Sequence, residues 1–281
     1  MARSNWRRPP LEPIAEGKRR IRMTVSYQGP HYNGWQKQTN SHAVTQEIED
    51  AIHTITGETV LVVGSGRTDS GVHAIGQVCH FDLSNQKIKG EAFALALNRL
   101  LPPDIRILSS SQVDGTFHAR YTSMARMYRY YFKEERDMTP FDIQQVGKVR
   151  NFPDLELLNQ YAEVLKGTHD FTTFTASKDC CESKVRDIYE SYWTYETDRF
   201  GSRVLTYTIC GNAFLYKMVR SLVGSMMEFA NTKMEKARFA EIFASKDRSL
   251  AGRTASPWGL YLYRISYDEE EYAWFEEQSN E

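Results

Sequence analysis

Two periods, one of two residues and one of 3.6, divide the chain into elements. Residues 20–27 (RIRMTVSY) alternate apolar and polar side chains, the signature of a strand with one buried face. A turn-rich stretch, QGPHYNGWQKQTNS, follows. Over 43–57, Val44, Ile48, Ala51, Ile52 and Ile55 fall on one side of a helix, and Gly57 supplies its stop. TVLVV (59–63) predicts a buried strand. The polar loop GSGRTDSGVHA comes next, and then a strand near Gln77–Asp82. Residues 90–101 predict a helix ending before Pro102-Pro103, and the aromatic run RMYRYYFK (126–133) predicts a strand.

The second half uses the same vocabulary. Residues 153–166 predict a helix with Pro153 near its first position and Gly167 at its end. Residues 186–196 and 203–211 predict two strands. Residues 212–231 predict a long helix with Leu215, Val219, Leu222, Val223, Met226 and Met227 on its apolar side. A helix over 234–245 and a strand over 260–267 complete the chain. In each half a strand runs through a glycine-containing turn into a helix, RMTVSYQGPHYNGW in one and LTYTICGNAFLYKM in the other. Strands and helices mixed without strict βαβ alternation favour an α+β fold with antiparallel sheet, here as a duplicated unit. The expected division is a basic arm (1–19), an N-terminal α+β domain (20–115), a C-terminal α+β domain (116–267) and an acidic tail (268–281).

Composition narrows the class. Of 281 residues, 41% are hydrophobic and 25% charged, which fits a soluble globular chain with a sizeable core. No apolar run approaches the roughly 18 residues of a membrane span. The basic N-terminus has no apolar stretch of the secretory type, so the expected compartment is the cytoplasm. Cysteines at 79, 180, 181 and 210 form no CxxC, and the seven histidines form no HExxH. His73 and His80 flank Cys79, and they read as loop and strand residues before they read as metal ligands; no metal is expected.

Net charge is −1, which argues against a nucleic-acid binder until its distribution is considered. Residues 267–281 hold seven acidic side chains and no Lys or Arg, which leaves +6 on residues 1–266. The first 22 residues hold seven Lys or Arg, among them Arg3, Arg7 and Arg8, against two Glu. A basic body with an acidic tail is compatible with a phosphate backbone as partner.

The richest local chemistry is the loop 64–74. Its three glycines allow close approach to a ligand, and Asp69 sits at its centre, two residues after Arg67. A carboxylate on a loop between buried strands can act as nucleophile or base. It can equally bond its own loop backbone in an Asx-turn. Asp69-Ser70-Gly71 has the D-[ST]-G form of aspartic proteases, but no second copy supplies the required pair. The glycines match neither the P-loop nor GxGxxG. His169-Asp170 alone is too little for a metal-dependent phosphohydrolase.

Residues 64–82 (GSGRTDSGVHAIGQVCHFD) resemble the central motif of the TruA-type tRNA pseudouridine synthases. Further blocks follow in that family's order: YQGPHYNGWQKQ (27–38), FHARYTSMARMYRYYF (117–132), LKGTHDFTTF (165–174), NAFLYKMVRSLVG (212–224) and SPWGLYL (256–262). The resemblance covers about residues 20–267. It implies two related RRM-like α+β domains whose antiparallel sheets face a central cleft. It also implies a homodimer and a cofactor-free isomerisation of uridine to pseudouridine at positions 38, 39 and 40 of the tRNA anticodon stem-loop. Asp69 matches the essential aspartate, which either attacks C1′ or assists elimination. Arg67 matches the arginine that fills the stack left by a flipped base. Tyr128 matches the active-site tyrosine, stacking on uracil and relaying the C5 proton. Arg220 would pair with Asp69, and Lys217, on one helical face with Arg220, would contact phosphate. Ser70 replaces the family's common Ala, and Trp258 is bulkier than the usual residue there. The tail is expected to face away from RNA or to dock on a basic region in its absence.

Overall fold

Alternating burial along the chain builds mostly antiparallel sheet, with helices packed beside it. The computed structural model describes residues 11, 13–37, 41–271 and 273. Arg3, Arg7 and Arg8 lie outside the described residues. Among the described residues the contacts separate two units, 11–124 with 262–273 and 125–261.

In the first unit, β1 (Arg19–Tyr27) buries Ile21, Met23, Val25 and Tyr27 on one face, as its period predicts. Helix α1 (Val44–Thr56) buries Val44, Ile48, Ala51 and Ile52, and ends on Gly57 in the left-handed conformation, φ 75°. Strand β2 is only Val63–Gly64. The buried strand expected over 59–63 does not form, and Leu61 is 73% exposed. Strand β3 (His73–Leu83) starts earlier than expected. Helix α2 (Ala92–Leu97) is shorter than 90–101. It stops because the Asn98 side chain turns to the backbone of Ile107, accepting from its N–H and donating to its carbonyl, both at 2.8 Å. Ile107 lies on β4 (Ile105–Val113), which the sequence reading missed. The sheet runs β4-β1-β3, with β1 antiparallel to both neighbours and β2 antiparallel to β3.

The second unit begins with β5 (Ala125–Glu134). Strand β6 (Gly147–Val149) runs parallel to it. Helix α3 (Leu155–Val164) is capped by Asp154, whose carboxylate accepts from the N–H groups of Glu156 and Leu157. Pro153 therefore lies before the cap and not in the first turn. Strands β7 (Gly167–Asp170), β8 (Val185–Thr197) and β9 (Arg203–Gly211) follow. The sheet order is β5-β9-β8-β7, antiparallel throughout. Helices α4 (Met218–Asn231) and α5 (Lys236–Ala244) supply Met226, Met227 and Phe239 to a core with Tyr161, Trp193 and Tyr207.

Helix α4 starts six residues later than the apolar spacing predicts. Asn212 is drawn to β8 instead: its side chain accepts from the Asp187 N–H (3.1 Å) and donates to the Asp187 carboxylate (2.9 Å). Lys217 then adopts φ 58°, which no α-helix accommodates. The last strand, β10 (Leu260–Ser266), lies beside β3 through its later residues.

Candidate active site

The residues singled out in the sequence fall into two groups, one in each unit. In the first unit the loop 65–72 joins β2 to β3. Its ends are fixed by Ser65, whose N–H donates to the Val78 carbonyl (2.8 Å). The Ser65 hydroxyl also bonds the Gln77 side chain (2.8 Å), which in turn donates to the Gly66 carbonyl (2.9 Å). A backbone bond from Val72 N–H to the Asp69 carbonyl (3.1 Å) closes the turn at its tip. Thr68 is buried, and its hydroxyl meets that of Tyr27 at 2.8 Å. Asp69 is half-buried between the exposed side chains of Arg67 and Ser70.

The stretch 27–35 forms the floor of this loop, which accounts for its glycines. The Trp35 N–H donates to the Thr68 carbonyl (3.3 Å), and the rings of Trp35 and Tyr27 stack at 5.8 Å. Gly34 lies in the left-handed region, φ 92°, and a Cβ on it would fall 2.3 Å from the Thr68 carbonyl oxygen. His73 is fully buried, and its Nδ1 accepts from the Gly29 N–H at 3.3 Å. His80 Nδ1 accepts from the Ala119 N–H at 3.2 Å. Burial, with the Arg20 charge beside it, pushes the His80 ring down to about 3, so it is neutral at physiological pH. The thiol between these histidines is held protonated by burial. Among the described residues no three His, Cys, Asp or Glu side chains gather into a metal site. Ser70 donates to the Tyr32 carbonyl at 3.3 Å.

In the second unit, Tyr128 sits opposite Ile209 in the β5–β9 ladder and is 8% exposed. Phe214 meets its ring edge-on, with centroids 5.1 Å apart. Phe214 belongs to the irregular stretch 212–217, so the departure from helix there is what brings an aromatic side chain to Tyr128. Asp179 pins the same stretch. Its carboxylate, 4% exposed, accepts from the Tyr216 N–H (2.7 Å) and the Cys181 N–H (2.9 Å) and pairs with Lys184. Burial pushes its pKa up, but these donors outweigh burial and hold it at about 2.

Lys217 caps α4 in the left-handed conformation, with Nζ 5.2 Å from the Tyr216 ring centre. It is not a helical residue, so it does not share a face of α4 with Arg220 by helical spacing. Arg220, in the first turn of α4, donates from Nε to the Ala255 carbonyl at 2.9 Å. His169 and Asp170 are structural: the His169 ring contacts the Lys166 carbonyl (2.7 Å), and Asp170 binds Thr172 and Lys246. Phe214, Asp179 and the Ala255 carbonyl escaped the sequence reading. Only Phe214 left a signal, its place inside the NAFLYKM block.

A family model described as tRNA pseudouridine synthase matches residues 23–122 and 161–268. The chain belongs to this family. Among its relatives is a tRNA pseudouridine synthase A from an Exiguobacterium species, 39% identical over 250 residues, covering 89% of this chain and 98% of the relative. Another, from Streptococcus gordonii, is 40% identical over 89% of this chain and 99% of the relative. One from Treponema denticola is 38% identical over 92% and 96%. Membership in this family removes the protease and phosphohydrolase readings of Asp69 and His169. Among the described residues no helix is long and apolar enough to cross a membrane.

Proposed function

We propose that the protein isomerises uridine to pseudouridine in tRNA. We assign the reaction to positions 38, 39 and 40 of the anticodon stem-loop, by a homodimer in the cytoplasm. The observation that carries this reading is the loop GRTDSGVHA in a chain of this family, with Asp69 half-buried on a backbone fixed at both ends.

The reaction breaks N1–C1′, turns the uracil, joins C5 to C1′, and moves a proton from C5 to N1. Nothing is oxidised or released. Asp69 serves by attacking C1′ or by taking a proton from C2′ to allow elimination. A stem uridine must leave its stack first, at a cost of a few kcal/mol. Arg67 is exposed beside Asp69 and fills the vacated position, since a guanidinium can stack and bind phosphate together. Tyr128 stacks on the flipped uracil and relays the C5 proton through its hydroxyl. Arg220 takes the role of cationic partner to the Asp69 carboxylate by its place in the family motif. Lys217 contacts phosphate. No step calls for a cofactor.

The test is incubation of purified protein with an unmodified tRNA transcript carrying uridines at 38–40, followed by carbodiimide mapping and mass measurement. Expected are pseudouridine stops at those positions with unchanged RNA mass. Asp69→Ala should abolish them, lowering the rate by at least about 10³-fold while the fold is kept. Tight binding with no product at any position would overturn the enzymatic reading. Product elsewhere in the tRNA would overturn only the positional one.

A further inference from the structure

Residues 252–256 (GRTAS) run along α4 without being part of any helix or strand. The backbones of Gly252, Arg253 and Ala255 are tied to the helix. Gly252 N–H donates to the Ser225 hydroxyl (2.9 Å) and Arg253 N–H to the Glu228 carboxylate (3.0 Å). Ala255 N–H donates to the Arg220 carbonyl (3.0 Å), and the Ala255 carbonyl accepts from Arg220 Nε (2.9 Å). At the far end, Tyr130 on β5, two residues from Tyr128, donates its hydroxyl to the Ser256 carbonyl (3.0 Å). Ser225 is fully buried and donates onward to the Ser221 carbonyl (2.7 Å).

We propose that this segment is a strap that sets the Arg220 guanidinium, and that Gly224 is the positioning residue that lets it seat. This rests on the reading of Arg220 given above. A guanidinium is planar, so a bond to Nε fixes the plane in which the other two nitrogens lie. The chain path that brings the Ala255 carbonyl to Arg220 passes directly over Gly224. A Cβ there would fall 1.8 Å from the Arg253 carbonyl oxygen and 2.8 Å from the Ala255 nitrogen. No rotamer relieves such an overlap, because both groups are backbone. A cavity of about 240 Å³ lies against the strap, lined by Tyr130, Gly224, Met227 and Ser256 among others. A strap beside open space keeps its position through its hydrogen bonds, so loss of an anchor moves it. The same strap ties Arg220 to the strand that carries Tyr128.

Single-turnover rates and tRNA dissociation constants are measured for Gly224→Ala, Arg220→Lys and the double variant of the full chain. Gly224→Ala should lower the rate about tenfold or more with the dissociation constant changed less than about twofold, the pattern of a lost transition-state interaction. On the Arg220→Lys background the same change should alter the rate less than about twofold, because the group it acts through is gone. A wild-type rate for folded Gly224→Ala overturns the proposal, and so does an equal loss in both backgrounds, which would mark the strap as general scaffolding. If Gly224→Ala does not fold, Ser225→Ala and Tyr130→Phe each remove one anchor and are judged by the same two criteria. A wild-type rate for Arg220→Lys alone would sink the reading of Arg220 itself.

Discussion

Lys217 shows how one backbone angle changes a residue's role. Its φ of 58° costs a non-glycine residue about 1–2 kcal/mol. The helix start tolerates this because Asp179 and Asn212 hold the flanking backbone. Lys217→Gly should therefore relieve strain and leave thermal stability equal or higher. If Lys217 contacts phosphate, the same variant should weaken tRNA binding, and the salt slope of log Kd should fall by about one. Equal slopes for variant and wild type would remove Lys217 from the interface. Asp69 and Arg67 were legible because their motif is contiguous, nine residues in one loop. Tyr128 was singled out by its place in the family block, while the aromatic run showed only that it lies on a strand. The conformation of Lys217 was not, since the apolar spacing from Leu215 to Met227 is helical whether or not the helix has begun. The Ala255 carbonyl was not either, because a backbone acceptor leaves no trace in residue identity.

Long periodic elements were readable, and short or irregular ones were not. Strands β1, β5, β8 and β9 and helix α1 fall within a residue or so of their expected bounds. The miss at β4 has a physical cause: its run of serines (ILSSSQV) carries little apolar signal at the sheet edge. The error at 59–63 is the reverse, apolar residues placed on a connection. The connection that matters most is 27–35 beneath the loop 65–72. Gly34→Ala would drive a methyl into the Thr68 carbonyl, and an incompatible φ adds to the cost. Destabilisation of about 2 kcal/mol or more is expected, read as a lowered urea midpoint, together with loss of activity.

Lys133 is a second element-scale device. It is buried on β5 and bridges Asp142 (2.9 Å) and Asp198 (2.8 Å), tying two connections to one strand. Burial raises both carboxyls, but the Lys133 ammonium and nearby donors outweigh it and hold them below the ordinary value of 3.8. Their contribution to stability is therefore present above about pH 4 and lost as pH falls through the lowered pKa values. Burial lowers Lys133, and the two aspartates more than restore it above 10.5. Its contribution is full below that value and lost only at higher pH. Lys133→Met leaves two partly buried carboxylates without their cation and should cost about 3–5 kcal/mol at pH 7. The gap should narrow below about pH 4, where the carboxyls of the variant take up protons. A gap that stays constant from pH 3 to 7 would show that packing, and not charge, accounts for the loss.

At the scale of the whole molecule, charge is divided more sharply than the net value of −1 shows. Residues 268–281 carry seven acidic side chains against +6 on the rest. The start of this segment is fixed to the first sheet. Arg22 pairs with Glu271 at 2.7 Å, with its guanidinium over the rings of Phe117 (5.3 Å) and Tyr267 (4.7 Å). The same Glu271 accepts from the Tyr267 N–H. Residues 274–281 lie outside the described residues, so the rest of the tail contributes to the argument only through its charge. A segment of seven negative charges repels a polyanion over roughly 10 Å at 0.1 M salt. Deleting 268–281 should tighten tRNA binding several-fold at about 50 mM salt, with the difference fading by about 0.5 M, where the Debye length is a few ångström. Glu271→Gln removes one charge and a half-exposed ion pair worth at most about 1 kcal/mol, and should change affinity less than about twofold. A deletion that leaves affinity unchanged at every salt concentration would mean that the tail faces away from the bound RNA. If Glu271→Gln alone reproduced the full effect of deletion, the single contact on Arg22 would be responsible, and the tail would act as a docked cover over a basic residue.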